Sequence, residues 1–165
     1  MPWNKKYWNR RFDGKTAGDT AAYHHHLDFR CIDDLEDEGL AFLLTGVKGV
    51  NMLDLNETEI SNESIALLTK LEYVNELRAK DCRHLDNGCM NSLNQLKDLV
   101  FLHVKDTQIT IDGLLQLSRL FKLKTLMFSA AEIEDIKEKI LQLRTLLPGC
   151  DFVVNSNPWQ FEKND

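Results

Sequence analysis

Five residues with alternating spacing carry the chemistry that this sequence offers most clearly. Arg78 and Lys80 are separated by one residue, as are Phe101, His103 and Lys105. Side chains two residues apart lie on the same face of a β-strand. Cations beside an exposed aromatic ring are frequent protein contacts, because Arg and aromatic residues are common binding anchors. We therefore predict a binding site at these five residues for a protein partner whose contacting segment could be acidic.

Catalytic chemistry has less support. His24 and His26 share one face of an extended chain and could hold a metal ion if a third ligand came near, but the sequence supplies none. A metal-dependent or hydrolytic enzyme would use these histidines with the neighbouring Asp28 and Asp54. The two carboxylates could raise one another's pKa. We predict no catalytic residue, no metal and no cofactor.

Neutralisation is the simpler interpretation of the two carboxylates. Asp28 and Asp54 line no evident cleft, and Arg30 and Arg78 occupy nearby positions on the predicted face. We expect these arginines to neutralise the two acids.

The cysteines predict no chemistry either. Cys31, Cys82, Cys89 and Cys150 form no Cys-x-x-Cys pair and show no metal-ligand spacing. We expect buried, reduced thiols in an intracellular protein.

The elements that position these residues follow from an internal repeat. An apolar residue, any residue and a second apolar residue recur at Leu27 and Phe29, Leu53 and Leu55, Leu77 and Ala79, Leu102 and Val104, Leu126 and Phe128, and Phe152 and Val154. Successive first positions lie 26, 24, 25, 24 and 26 residues apart. At this period each unit is one strand, a turn and a helix, and a unit buries its apolar face only against a neighbour.

The repeat resembles the leucine-rich repeat family from about His25 to Asn155, with the pattern seen in Leu99, Leu102, Val104, Thr107 and Ile109. The segments CysArgHisLeu at 82–85 and IleAspAspLeu at 32–35 resemble its cysteine-containing type. The resemblance implies an α/β fold, a leucine-rich repeat solenoid with about six parallel strands on the concave face and helices on the convex face.

Two shorter segments, 82–89 and 147–152, are similar to the mitochondrial ATP synthase coupling factor B family, also called subunit s. This likeness implies a partner in a respiratory membrane complex.

The chain divides into three parts on this view. Residues 1–23 form an N-terminal cap and connector, in which Trp3, Tyr7, Trp8 and Phe12 gather on one side of a helix. Residues 24–155 are the leucine-rich repeats, and 156–165 form a C-terminal cap and tail, with ProTrpGlnPhe at 158–161 folding over the open end.

Helix boundaries follow from capping residues. Ser61, Asn87 and Thr110 are predicted N-caps. The longest helix is expected over about 132–146, with a buried stripe at Ile133, Ile136, Ile140, Leu143 and Leu147.

Composition indicates the class of protein. The chain has 165 residues, 43% of them hydrophobic, which suits one globular domain, and no apolar run approaches the roughly 18 residues of a transmembrane helix. Net charge is −6. Residues 1–30 carry six basic and three acidic side chains, and residues 31–65 carry one and nine. Without a connected basic face, a nucleic-acid partner is disfavoured.

These observations predict a non-enzymatic protein-binding or complex-assembly module that uses the concave face. The resemblance extends this prediction to peripheral association with a mitochondrial respiratory or ATP synthase complex. We expect an intracellular protein, mitochondrial or cytoplasmic. The alternatives are a recognition subunit of a ubiquitin-type ligase, although residues 1–23 are too short for an F-box, and the enzyme considered above.

Overall fold

The computed structural model describes residues 5–30, 32–131 and 136–161. The strands are β1 (Tyr23–Asp28), β2 (Gly49–Asp54), β3 (Tyr73–Arg78), β4 (Phe101–His103), β5 (Thr125–Phe128), β6 (Asp151–Val154) and β7 (Asn157–Pro158). The helices are α1 (Lys5–Arg11), α2 (Asp37–Leu43), α3 (Asn62–Leu68), α4 (Met90–Leu93), α5 (Ile111–Leu114) and α6 (Lys137–Leu146), with 3-10 turns at Ala17–Asp19 and Asn87–Cys89.

The strands form one open, mostly parallel sheet in chain order, and helices alternate with β1 to β6 along the chain. β1 to β6 are parallel to their neighbours, and β7 pairs antiparallel with β6. The first apolar positions of the repeats pair directly across the sheet at Leu27, Leu53, Leu77, Leu102, Leu126 and Phe152. The predicted α/β class and six parallel strands are therefore confirmed, whereas β7 was not predicted.

One continuous core lies between the sheet and the helices. The paired residues of the first apolar position are all buried, and Leu53, Leu77, Leu102 and Leu126 have no solvent-exposed surface. Neighbouring helices contact one another, as α2 does α3 and α5 does α6. Each unit therefore buries its apolar side against the next.

The chain leaves the sheet through the same backbone conformation in three successive repeats. Glu57, Asp81 and Asp106 have φ of 63°, 59° and 58°, in the left-handed region. Asp and Asn tolerate this region better than most residues, because their short polar side chains bond locally. The conformation turns the chain away from the sheet at the same point in each of these repeats.

Side chains join each turn to the next. Asn62 and Asp86 exchange two hydrogen bonds, with Nδ2 of Asn62 2.6 Å from Oδ1 of Asp86, and Asn87 and Thr110 are joined in the same way. Ser61 and Thr110 are N-caps of α3 and α5, as predicted. The prediction for Asn87 was wrong, because Asp86 caps that turn and Asn87 binds the next repeat.

The N-terminal helix packs on the first helix of the repeats. Trp8 is almost fully buried and stacks on Phe12, which stacks on Phe42 of α2. The indole lies so close to Gly39 that a Cβ there would stand 2.6 Å from it. Trp8 and Phe12 thus occupy the predicted covering position, Tyr7 is 40% exposed, and Trp3 lies outside the described residues.

The C-terminal segment runs antiparallel to β6 and packs on α6. Trp159 donates its backbone N–H to the carbonyl of Phe152, and the Phe161 ring packs on Phe152 and on Arg144 of α6. α6 begins at Lys137, the predicted start near 132 lies outside the described residues, and the predicted stripe from Ile136 onward is buried. Ile133 lies outside the described residues. No described helix is long and apolar enough to cross a membrane.

Candidate functional site

The side chains opposite the core define what we call the outer face. Its first column is His26, Met52, Glu76, Phe101, Thr125 and Asp151, and its second is Asp28, Asp54, Arg78, His103, Met127 and Val153. Both columns have the predicted register. A third column, from Arg30 through Lys80 and Lys105 to Asn155, lies just beyond the strand ends. There the backbone ladder continues, with Asp81 N–H bonded to the carbonyl of Lys105 at 3.0 Å.

Three of the five predicted binding residues form one contact group on β3 and β4. The guanidinium carbon of Arg78 lies 5.2 Å from the centroid of the Phe101 ring, in a cation–π contact. The His103 ring meets Phe101 edge-on at 6.4 Å between centroids. All three side chains are half-buried. The Nε atom of Arg78 and the Nε2 atom of His103 are buried and have no hydrogen-bond partner among the described residues.

Acidic neighbours offset the cations of this site. Arg78 pairs with Glu76 at 3.2 Å, Lys80 with Asp81 at 2.6 Å and Lys105 with its own neighbour Asp106 at 2.9 Å. The structure therefore brings the predicted residues together without making an isolated basic patch. The Lys-Asp neighbours at 80–81 and 105–106 are visible in the sequence, but the backbone conformation at each Asp is what brings the two charges together.

The surroundings of His103 favour its uncharged form. Burial lowers its pKa below the ordinary 6.5, and the charges of Lys80, Arg78 and Lys105 lower it further, against a weaker opposite effect of Asp54. His103 thus contributes a polar ring rather than a fourth positive charge.

The two adjacent carboxylates on β1 and β2 are held by one arginine. Arg30 binds Asp28 through Nε and Nη2, at 2.9 and 2.6 Å, and this pairing lowers the pKa of Asp28 to about 2. The Nε atom of Arg30 also lies 3.5 Å from the carboxylate of Asp54, which is 2% exposed. Neutralisation by Arg30 is confirmed. The expected role of Arg78 was wrong, because Arg78 pairs with Glu76. The pKa of Asp28 is therefore lowered, whereas the catalytic use considered for this carboxylate pair needs a raised pKa.

The histidines of β1 bind within the chain. The Nε2 atom of His24 contacts the backbone carbonyls of Ala17 and Ala21, at 3.1 and 2.8 Å, and His25 contacts the Asn51 amide. Across the described ranges, no three His, Cys, Asp or Glu side chains are grouped so that they could hold a metal ion.

The predicted burial of the cysteines is confirmed for three of them. Cys82, Cys89 and Cys150 are free and buried, while Cys31 lies outside the described residues. Burial raises the pKa of Cys89 and of Cys150 to about 12 and also raises that of Cys82, so these thiols are poor nucleophiles. Cys82 donates to the carbonyl of Leu55 at 3.1 Å, which is a structural contact.

A cavity of about 850 Å³ lies beyond the carboxyl ends of β4 and β5, away from the contact group. Its lining includes Thr107, Ile109, Ser129 and Ile136 and is mainly apolar. Its one titratable lining residue among those described, Asp106, already binds Lys105. We assign this cavity no chemistry.

Comparison with known protein families and with curated proteins finds no match to this chain. The function therefore has to be argued from the outer face itself.

Proposed function

We propose that this chain is a leucine-rich repeat solenoid that acts as a non-enzymatic protein-binding or complex-assembly module through its outer face. The proposal is supported by the repeat of strand, turn and helix, whose first apolar positions pair in register from β1 to β6. Repeat arrays of this kind bind partners with the extended surface that their strands create. The binding residues proposed are Arg78, Lys80, Phe101, His103 and Lys105.

One observation carries the proposal. Phe101 is a large aromatic residue on the face opposite the core, and its ring contacts both the Arg78 guanidinium and the His103 ring. A rigid aromatic ring supported by an arginine is the kind of residue that dominates binding energy in protein interfaces. Met127, on the next strand, extends the apolar surface. A strand face with only a structural role needs neither group.

The class of partner follows from the resemblance stated for the sequence. The likeness of segments 82–89 and 147–152 to coupling factor B supports a partner in a mitochondrial respiratory or ATP synthase complex, to which the chain would bind peripherally. A ubiquitin-type ligase component is the second candidate. A hydrolytic or metal-dependent enzyme is disfavoured by the pairing of Asp28 with Arg30 and by the backbone contacts of His24.

The test replaces Phe101 by Ala in tagged protein and recovers partners from membrane and soluble cell fractions. Phe121→Ala is the matched control, since Phe121 is 74% exposed in the segment between α5 and β5. Truncation of a central aromatic anchor costs about 2 kcal/mol or more, which is roughly a thirtyfold loss of affinity. We expect Phe101→Ala to lose the partners while Phe121→Ala retains them.

The identity of the captured proteins separates the candidates. ATP synthase or respiratory subunits support the first, and ligase subunits support the second. If Phe101→Ala, with an unchanged melting temperature, captures the same proteins in the same amounts, binding through the outer face is wrong.

A further inference from the structure

We propose that the partner segment that binds the outer face is cationic and amphipathic, with an apolar side chain near a Lys or Arg. This inference rests on the proposed function and names the chemistry of its partner. It reverses the sign of charge expected from the cations of the sequence alone, because that expectation did not include their acidic neighbours.

The outer face and its turns carry more negative than positive charge. In the three columns and at the residue directly after the third column, the described cations are four, Arg30, Arg78, Lys80 and Lys105. The described carboxylates at the same positions are seven, Asp28, Asp54, Glu57, Glu76, Asp81, Asp106 and Asp151. Each cation lies within 4 Å of at least one of these carboxylates. None of these four cations is therefore left unpaired to bind an acidic segment, and the surplus of carboxylates disfavours such a segment.

The surplus of negative charge lies at definite positions. Asp54 shares Arg30 with Asp28, and Glu57 is 3.7 Å from Lys80, which has a closer partner in Asp81. Asp151 is exposed, and none of the four cations pairs with it. Asp151 is thus the carboxylate best placed to pair with a cation from outside.

An apolar surface adjoins Asp151. Phe101 pairs with Thr125 and Thr125 with Asp151, so Phe101 and Asp151 lie two strands apart, about 10 Å. Met127 and Val153 occupy the next column on β5 and β6, and both are partly exposed. An apolar side chain can pack on this surface while a Lys or Arg of the same segment reaches Asp151.

The occupant that fits is therefore a polypeptide segment with apolar and cationic side chains close together. Apolar contact would supply most of the affinity at Phe101 and Met127. The cation would add orientation and a salt-dependent contribution at Asp151.

The experiment uses two synthetic peptides of equal length as probes, one of Leu and Lys and one of Leu and Glu. The full chain carries carbon-13 methyl groups on its methionines, and each peptide is titrated while the methyl resonances are recorded. Met127 reports on the proposed surface, and Met90, which is 1% exposed, is the internal reference. We expect the Leu–Lys peptide to shift Met127 saturably and to leave Met90 in place.

Charge variants locate the contact. Asp151→Asn should weaken the Leu–Lys peptide by about two- to fivefold, as removal of an exposed ion pair does. Glu63→Gln removes the same charge from the start of α3 and should leave the affinity unchanged. Equal weakening by the two variants would mean attraction to net charge alone and would overturn the inference.

The remaining outcomes separate this inference from the proposed function. Tighter binding of the Leu–Glu peptide at Met127 would overturn the cationic partner and support an acidic one, with the outer face still the site. No shift of Met127 with either peptide would also overturn the inference. The proposed function would then stand or fall on the Phe101→Ala capture, which does not depend on the charge of the partner.

Discussion

Asp37 offers the sharpest test of how the first two repeats are held together. Its carboxylate accepts hydrogen bonds from the backbone N–H and hydroxyl of Ser61 and from the backbone N–H and hydroxyl of Ser64. Ser61 is the N-cap of α3, and Ser64 has no exposed surface. One side chain at the start of α2 thus holds the start of the next helix.

Replacing Asp37 by Ala should destabilise the fold by about 2–4 kcal/mol. Loss of cap hydrogen bonds costs about 0.5–2 kcal/mol. A buried hydroxyl left without a partner, here that of Ser64, costs about 1–3 kcal/mol. Asp37 is itself half-buried, so water can replace part of the lost hydrogen bonding. The expected loss of stability is therefore smaller than the sum of the two upper limits. Urea unfolding at neutral pH measures the change.

Two comparisons make the test specific. Glu38→Ala removes a neighbouring, exposed acid from the same helical turn and should change stability by less than about 0.5 kcal/mol. Adding Ser64→Ala to Asp37→Ala should cost less than the two separate changes together, because the unpaired hydroxyl is then absent. If Asp37→Ala resembles Glu38→Ala, or if the two changes are additive, the carboxylate does not join the repeats as described.

Two further changes test the core and the outer face. Leu102→Ala should cost about 2–5 kcal/mol in urea unfolding, because Leu102 is fully buried, and a change within about 0.5 kcal/mol would contradict its place in the core. His103 has a lowered pKa, so the unfolded chain binds more protons than the folded chain below pH 6.5, and stability should fall as the pH drops from 7 toward 5. His103→Gln should lose less stability over this interval than the unmodified protein, and an equal loss in both would refute the assignment.

The strand register could be predicted because one pattern determined it. A slip of one residue would turn every apolar side chain of a strand to the other face. The pairings of Leu77 with Leu102 and of Arg78 with His103 are therefore forced by the same spacing. Contact between Arg78, Phe101 and His103 follows from that register and from the distance between neighbouring strands.

The ion pairs could not be read in the same way, because alternation ends with the strand. A residue next to Lys80 would point to the opposite face in a strand, away from the lysine. Asp81 instead has φ of 59°, and this conformation places its carboxylate 2.6 Å from the Lys80 ammonium. Asp106 repeats the arrangement with Lys105. The electrostatics of the site thus depend on a backbone conformation that apolar periodicity does not report.

The choice of cap at 86–87 failed for a related reason. Asp86 and Asn87 are both good capping residues, and the spacing of apolar residues does not distinguish neighbours. The structure uses each for a different bond, since Asp86 accepts from Gly88 N–H and Asn87 binds Thr110 of the next repeat. β7 was missed because Pro158 argues against a strand, and proline is tolerated only at a sheet edge such as this one.

Polar side chains have different roles on the helix side of the sheet and on the outer face. On the helix side, Asn94 accepts from the N–H groups of Ser118 and Arg119 and donates to the carbonyl of Gln116, so one amide joins two repeats through three hydrogen bonds. On the outer face, Arg78 and His103 each keep a buried nitrogen without a partner among the described residues, at a cost of about 1–3 kcal/mol per group. Trp8 Nε1 shares this condition within the N-terminal helix, so an unpaired atom does not by itself mark a site. The difference is that the indole of Trp8 packs in the core, whereas Arg78 and His103 contact the ring of Phe101, which lies outside the core. Stability explains the first arrangement, and the second is the one that the proposed binding by the outer face requires.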